Sequence, residues 1–224
     1  MTRTTNARIA GFTHLFYMAV GLTSVVLFSQ ATSAEGVAAT LARIVAHASA
    51  MRFAILLELL ECFSAIMLGV ALYGITRDED NELAMLALAC RVGEGVLGAI
   101  GIPNALRLVW LATAGTGAGS DVVTTNALGT FLLMPVQAAL IGAPFFAVGS
   151  MIFSYLLLRG RLVPVSLARL GVLASVLLVV GLPLQLVGFL IGHVTGYMWI
   201  PMFVFVVLIG LWLLIKGVAS PATR

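Results

Sequence analysis

Residues 53–101 read FAILLELLECFSAIMLGVALYGITRDEDNELAMLALACRVGEGVLGAIG: two apolar runs on either side of one short charged break. A spanning helix needs about 20 mostly apolar residues, and each run is long enough to supply one. The break Arg77-Asp78-Glu79-Asp80-Asn81-Glu82 is too short for more than a turn at a membrane surface, so the two helices are expected to run antiparallel. Three acids and one arginine also lie inside these runs, where charge is costly.

Carried outward in both directions, the same reading gives six spans, approximately 9–29, 53–75, 83–104, 131–158, 167–191 and 197–215. The chain of 224 residues is 61% hydrophobic and 9% charged, against about 45–50% and 25% in soluble domains. A soluble monomer and a disordered chain are both excluded. Two cysteines exclude a disulfide scaffold. The expected fold is an all-α polytopic transmembrane bundle forming one domain over residues 1–224, with no stretch left for a soluble module.

Between the first two spans, Val37, Leu41, Ile44, Val45, Ala48 and Met51 recur at helical spacing, with Thr40, Arg43 and His47 on the other face. That pattern predicts an interfacial amphipathic helix over about 36–51. Arg3 and Arg8 precede the first span, and Thr32-Ser33-Ala34 resembles a cleavage site. The apolar run nevertheless exceeds the roughly 7–15 residues of a signal-peptide core, so a retained span is expected.

Arg3, Arg8, Arg77, Arg159, Arg161, Arg169, Lys216 and Arg224 fall on the side of the N-terminus, and Arg43, Arg52 and Arg107 on the other. The positive-inside rule then places both termini in the cytoplasm of a cell's inner (plasma) membrane. Because the cations are scattered rather than gathered in a stripe, no nucleic-acid partner is expected.

Glu58 and Glu61 share a face of the second span with Cys62, Ala65 and Gly69, while Arg91 and Glu94 share a face of the third with Gly98 and Gly101. Small residues let helices approach closely, so the two polar faces are expected to meet. An uncompensated charge inside a span costs about 2.5–3.5 kcal/mol on insertion scales. One arginine cannot neutralise three carboxylates, so at least one is expected to carry a proton at neutral pH. An Arg91 salt bridge that merely fixes helix packing accounts for one acid and leaves two.

Weaker candidates are His14 and Tyr17, in a polar stripe with Gly21 and Ser24 on the first span, and the lone amides Gln137 and Gln185. These four could line a substrate cavity or simply hydrogen-bond between helices. The histidines lie at different depths and no paired-ligand spacing occurs, so neither a metal centre nor a cofactor is expected. Cys62 and Cys90 are expected to be free thiols. Prolines fall within four of the spans: Pro103, Pro135 with Pro144, Pro183, and Pro201.

Ala7-Arg8-Ile9-Ala10-Gly11-Phe12, Met51-Arg52-Phe53, Ala71-Leu72-Tyr73, Cys90-Arg91-Val92-Gly93-Glu94 and Ser166-Leu167-Ala168-Arg169-Leu170-Gly171-Val172-Leu173 together resemble an uncharacterised bacterial membrane family, domain of unknown function 4386. Cys90 to Glu94 is similar to that family's Phe-Arg-x-x-Glu segment. The resemblance implies a multi-pass bacterial membrane protein and supplies no reaction. Glu58 and Glu61 match no motif of the family.

From the residues alone, the leading expectation is an intramembrane acid–base enzyme acting on an isoprenoid or other lipid-like molecule. Glu61 or Glu94 would be its acid, and Arg91 and Glu58 would complete the cluster. Membrane terpenoid cyclases offer an analogy of architecture only. Two alternatives stand beside it. One is a proton-coupled carrier or sensor, for which a homodimer could supply a second half; the other is a structural subunit. The expected partner is a membrane lipid or hydrophobic small molecule.

Overall fold

A computed structural model describes residues 2–114, 121–133 and 138–219. Ten helices follow one another in these segments, with no strand among the described residues. They are α1 (Arg3–Thr32), α2 (Val37–Ala46), α3 (Ala48–Thr76), α4 (Asn81–Gly98), α5 (Gly101–Ala114), α6 (Val122–Leu133), α7 (Ala138–Arg159), α8 (Val165–Leu186), α9 (Val194–Tyr197) and α10 (Ile200–Ile215).

Six helical stretches are long and apolar enough to cross a membrane, among them Asn81–Thr113 and Val194–Ile215, in each of which two helices follow end to end. The protein is a multi-pass membrane protein with an all-α fold. Its spanning helices neighbour each other in chain order, α1 on α3, α3 on α4, α4 on α7, α7 on α8 and α8 on α10. Contact between α10 and α1 closes the ring. Leu68, Leu72, Phe153, Leu156, Phe205 and Ile209 fill its interior.

Side chains at one end tie the ring together. The Arg3 guanidinium donates two hydrogen bonds to the Ile75 carbonyl, at 3.0 and 2.8 Å, and so holds the start of α1 to the end of α3. Asp80 caps α4 by accepting from the Leu83 amide, an arrangement that satisfies an otherwise unpaired helical N–H. Its other carboxylate oxygen lies 3.1 Å from Arg159 at the end of α7. This is the arginine-rich end. At the distal end α2, α5 and α6 form a smaller core with the start of α3, built on Leu41, Ile44, Met51, Ile55 and Leu108.

Several expected boundaries move. The span read as 83–104 is two helices, because α4 stops at Gly98 and α5 restarts at Gly101. Pro103 then sits in the first turn of α5, where its missing N–H has no helical partner to lose. Of residues 131–158, those described lie in α6, up to Leu133, and α7, from Ala138. Residues 187–191, read as the end of the fifth span, lie beyond the end of α8, with positive φ at Gly188 and again at Gly192 just past them. Pro201 lies at the start of α10, so the prolines inside described helices are Pro144 and Pro183. Pro135 is outside the described residues.

The amphipathic helix is shorter than read, since Ala48 to Met51 belong to α3. Its facing also differs: Thr40 is buried and Val45 exposed. The Thr40 hydroxyl bonds the Gly36 and Ala34 carbonyls, so it enters the core with its hydrogen-bonding capacity used locally.

Candidate functional site

α3 and α4 meet along their small residues, as their patterns require. A β-carbon on Gly69 would stand 2.8 Å from Cβ of Arg91, and one on Gly95 would stand 2.8 Å from the Cys62 carbonyl. That approach sets the polar groups of both helices level with α1, which adds Tyr17.

Arg91 and Glu94 are three residues apart, hence on one helical face. Nη1 of Arg91 lies 2.7 Å from Oε2 of Glu94, while the Tyr17 hydroxyl donates to Oε1 at 2.7 Å. Both oxygens of Glu94 are therefore engaged. Arg91 is 2% exposed and Glu94 8%. The Arg91 contact is an ion pair rather than an aligned hydrogen bond, and its Nε and Nη2 have no acceptor among the described residues. Aromatic faces supply part of what is missing. Cζ lies 5.4 Å from the Tyr17 ring centre and 5.1 Å from that of Phe146 on α7, within cation–π range. The two rings are nearly parallel, 6.5 Å apart.

Glu61 and Glu58 continue the polar row toward the distal end under different conditions. Both are half-buried. The Glu61 carboxylate lies against Gly21 of α1, where a β-carbon would be 2.7 Å from Oε1, and that of Glu58 lies against Gly101 of α5, 2.8 Å by the same measure. Among the described residues neither has a cation within ion-pair distance. On the other side of Arg91 a cavity of about 20 Å³ is bounded by His14, Ser150, Ser154 and Phe205, enough for about one water molecule. His14 is buried, with Nδ1 3.2 Å from the Ala10 carbonyl.

A row of this kind, Glu58, Glu61, Tyr17 with Glu94, Arg91, then His14 and the serines, can hold one fixed charge pair and exchange a proton beside it. The family model Domain of unknown function (DUF4386) matches residues 9–217. The chain belongs to this family. No curated protein and no solved structure matches it. Membership of DUF4386 thus agrees with the multi-pass architecture and leaves the chemistry of this row to its geometry.

Of the residues singled out from sequence, the DUF4386 protein brings together Tyr17, Glu58, Glu61, Arg91 and Glu94, with His14 at the adjoining cavity. Gln185 is in the last turn of α8, its buried Oε1 without a hydrogen-bond partner among the described residues, and no described contact brings it to the cluster. Gln137 is outside the described residues. Cys62 and Cys90 are free thiols. Sequence reasoning missed Phe146 and Trp199, whose ring centres are 6.1 Å apart. An apolar ring in an apolar span carries no signal. Ser150 and Ser154, spaced i and i+4 on α7, carried a readable one.

Proposed function

We propose that this protein is an intramembrane acid–base enzyme acting on an isoprenoid or other lipid-like molecule. Glu61 is its proton-exchanging carboxyl, and Tyr17, Arg91 and Glu94 set the electrostatic field around it. The observation that carries this reading is the division of the carboxylates: Glu94 is held on both oxygens, whereas Glu61, one helix away, has no cation partner among the described residues and is half-buried.

Glu61 would deliver its proton to a carbon–carbon double bond of the substrate, and the electron pair of that bond forms the new C–H bond. The cation left on the neighbouring carbon is stabilised by the Glu61 carboxylate that the transfer leaves beside it. Loss of a proton from an adjacent carbon to Glu61 regenerates both the double bond and the acid, so the isomerisation is balanced without a co-reactant. Exposed apolar residues around the carboxylates, Leu59 next to Glu58, Phe63 two residues beyond Glu61 and Leu22 after the Gly21 that meets Glu61, suit entry from the bilayer. Purified protein incubated with polyprenyl and epoxide panels should convert at least one substrate, and Glu61→Gln should abolish that conversion. Identical product profiles for the two proteins would refute the reading.

A second reading, proton-coupled carriage of a small molecule, is favoured by the small cavity beyond Arg91, where His14, Ser150 and Ser154 stand among apolar side chains and extend the row toward the opposite end. Here a homodimer supplies the second half, and flux into proteoliposomes follows an imposed pH gradient. Flux indifferent to the gradient excludes it. In both readings the termini face the cytoplasm of the inner membrane, supported by the concentration of cations at the end that carries them.

A further inference from the structure

The turn from α7 to α8 and the end of α10 enclose a groove of about 410 Å³ at the arginine-rich end. A backbone hydrogen bond of 2.9 Å from the Ala219 amide to the Leu162 carbonyl ties its two walls together. Arg161 and Lys216 line it, with Trp212 half-buried between the groove and the bundle. Neither cation makes an ion pair among the described residues. Arg159, two residues before Arg161, is by contrast paired with Asp80.

The backbone at Arg161 is unusual. α7 ends with the Leu162 amide bonded to the Leu157 carbonyl and the Arg161 amide to the Leu158 carbonyl, a helix end that calls for a left-handed residue, usually glycine. Arg161 takes that position with φ of +50°, although Gly160 is its neighbour. Gly160 is itself committed, since a β-carbon there would stand 2.5 Å from Cδ of Glu79. An arginine is thus kept, at a conformational cost, where glycine would be free of strain. Arg161 lines the groove together with Lys216.

We propose that this groove binds the phosphate of an anionic phospholipid from the leaflet at the arginine-rich end. Guanidinium and ammonium together match a phosphate, the first as a planar fork and the second as a point charge. Basic pockets between spanning helices recognise anionic headgroups in this way. The remaining walls, including Pro164, Val165 and Val218, are apolar, and they suit a ligand that continues into acyl chains rather than a free ion. Trp212 occupies the level where amphipathic rings meet headgroups.

The test uses the full chain purified in a neutral detergent, with melting temperature followed against added phosphatidylglycerol, phosphatidylcholine or inorganic phosphate. Phosphatidylglycerol should raise the midpoint and the other two should not. In Arg161→Gly and Lys216→Gln the apparent affinity for phosphatidylglycerol should fall at least tenfold, while Arg169→Gln, which alters a cation outside the groove, should keep it. Without lipid, Arg161→Gly should melt no lower than wild type, because glycine relieves the left-handed strain. A midpoint raised equally by phosphatidylcholine, or a phosphatidylglycerol effect that survives the Arg161→Gly/Lys216→Gln double variant, would overturn the proposal. Inorganic phosphate reproducing the whole shift would overturn the lipid assignment in favour of a free anion.

Discussion

Glu94 and Glu61 are the same residue type at comparable depth in neighbouring helices, and the protein treats them in opposite ways. Glu94 is enclosed by Tyr17, Arg91 and the Phe146 side of the ring, with a partner on each oxygen. Glu61 meets the bare backbone of Gly21 and opens toward the distal core. Ring closure explains the contrast. α7 packs on α4 and covers Arg91 and Glu94, whereas the distal half of α3 faces the shorter α2 and α5, which leave its carboxylates half-buried. A charge pair sealed in a helical ring fixes the packing of its helices; an acid with no cation beside it among the described residues is, in the function proposed above, the one that exchanges protons.

The comparison breaks most severely at Arg91. Arg91→Gln leaves the Glu94 carboxylate buried without its cation, a change that costs about 3–5 kcal/mol in comparable buried pairs. The variant should show a large loss of folded yield or a clearly lowered melting temperature in detergent. A variant as stable as wild type would mean that the pair contributes nothing to the ring.

Tyr17→Phe removes only the hydroxyl that donates to Glu94 and keeps the ring beside Arg91. Hydrogen bonds to charged groups contribute about 1.5–3 kcal/mol, so denaturant titration should show an intermediate loss. Glu61→Gln should do less, within about 1 kcal/mol, since it breaks no ion pair among the described residues and keeps the shape of the side chain. A loss equal to that of Arg91→Gln would erase the distinction between the two acids.

The smallest effect lies outside the spans, at Asp121. The Thr124 hydroxyl and the Val123 and Thr124 amides donate to its carboxylate at the start of α6, and these bonds hold the carboxyl below its usual range. A depressed folded value means that the cap is fully formed above the unfolded value of about 3.9 and is lost as pH falls through the lower folded value. Amide shifts of Val123 and Thr124, followed by NMR from neutral pH downward, should titrate with a midpoint below that of a free aspartate. A midpoint at or above the free value would show that the cap does not form.

What could be read from sequence divides along the same line. Arg91, Glu58, Glu61 and Glu94 announced themselves because the cost of charge in a span depends on residue type, whatever surrounds it. Their meeting face was legible from the glycines that accompany them. Which acid would be sealed was not, because the lid is Phe146, one apolar residue among many. The break between α4 and α5 was equally hidden: Gly98-Ala99-Ile100-Gly101 lies within a continuous apolar run, and nothing in its hydropathy marks a helix end. Thr40 shows a third limit. Its polarity pointed outward, but a hydroxyl bonded to its own helix is free to face the core.

The central claim, that Glu61 is the proton-exchanging acid and Glu94 the fixed charge, is tested most directly by infrared spectroscopy of the protein in bilayers at neutral pH. The wild type should show the carbonyl band of a protonated carboxyl group. That band should disappear in Glu61→Gln and remain in Glu58→Gln. A wild type without the band, or a band that survives Glu61→Gln, would contradict the assignment.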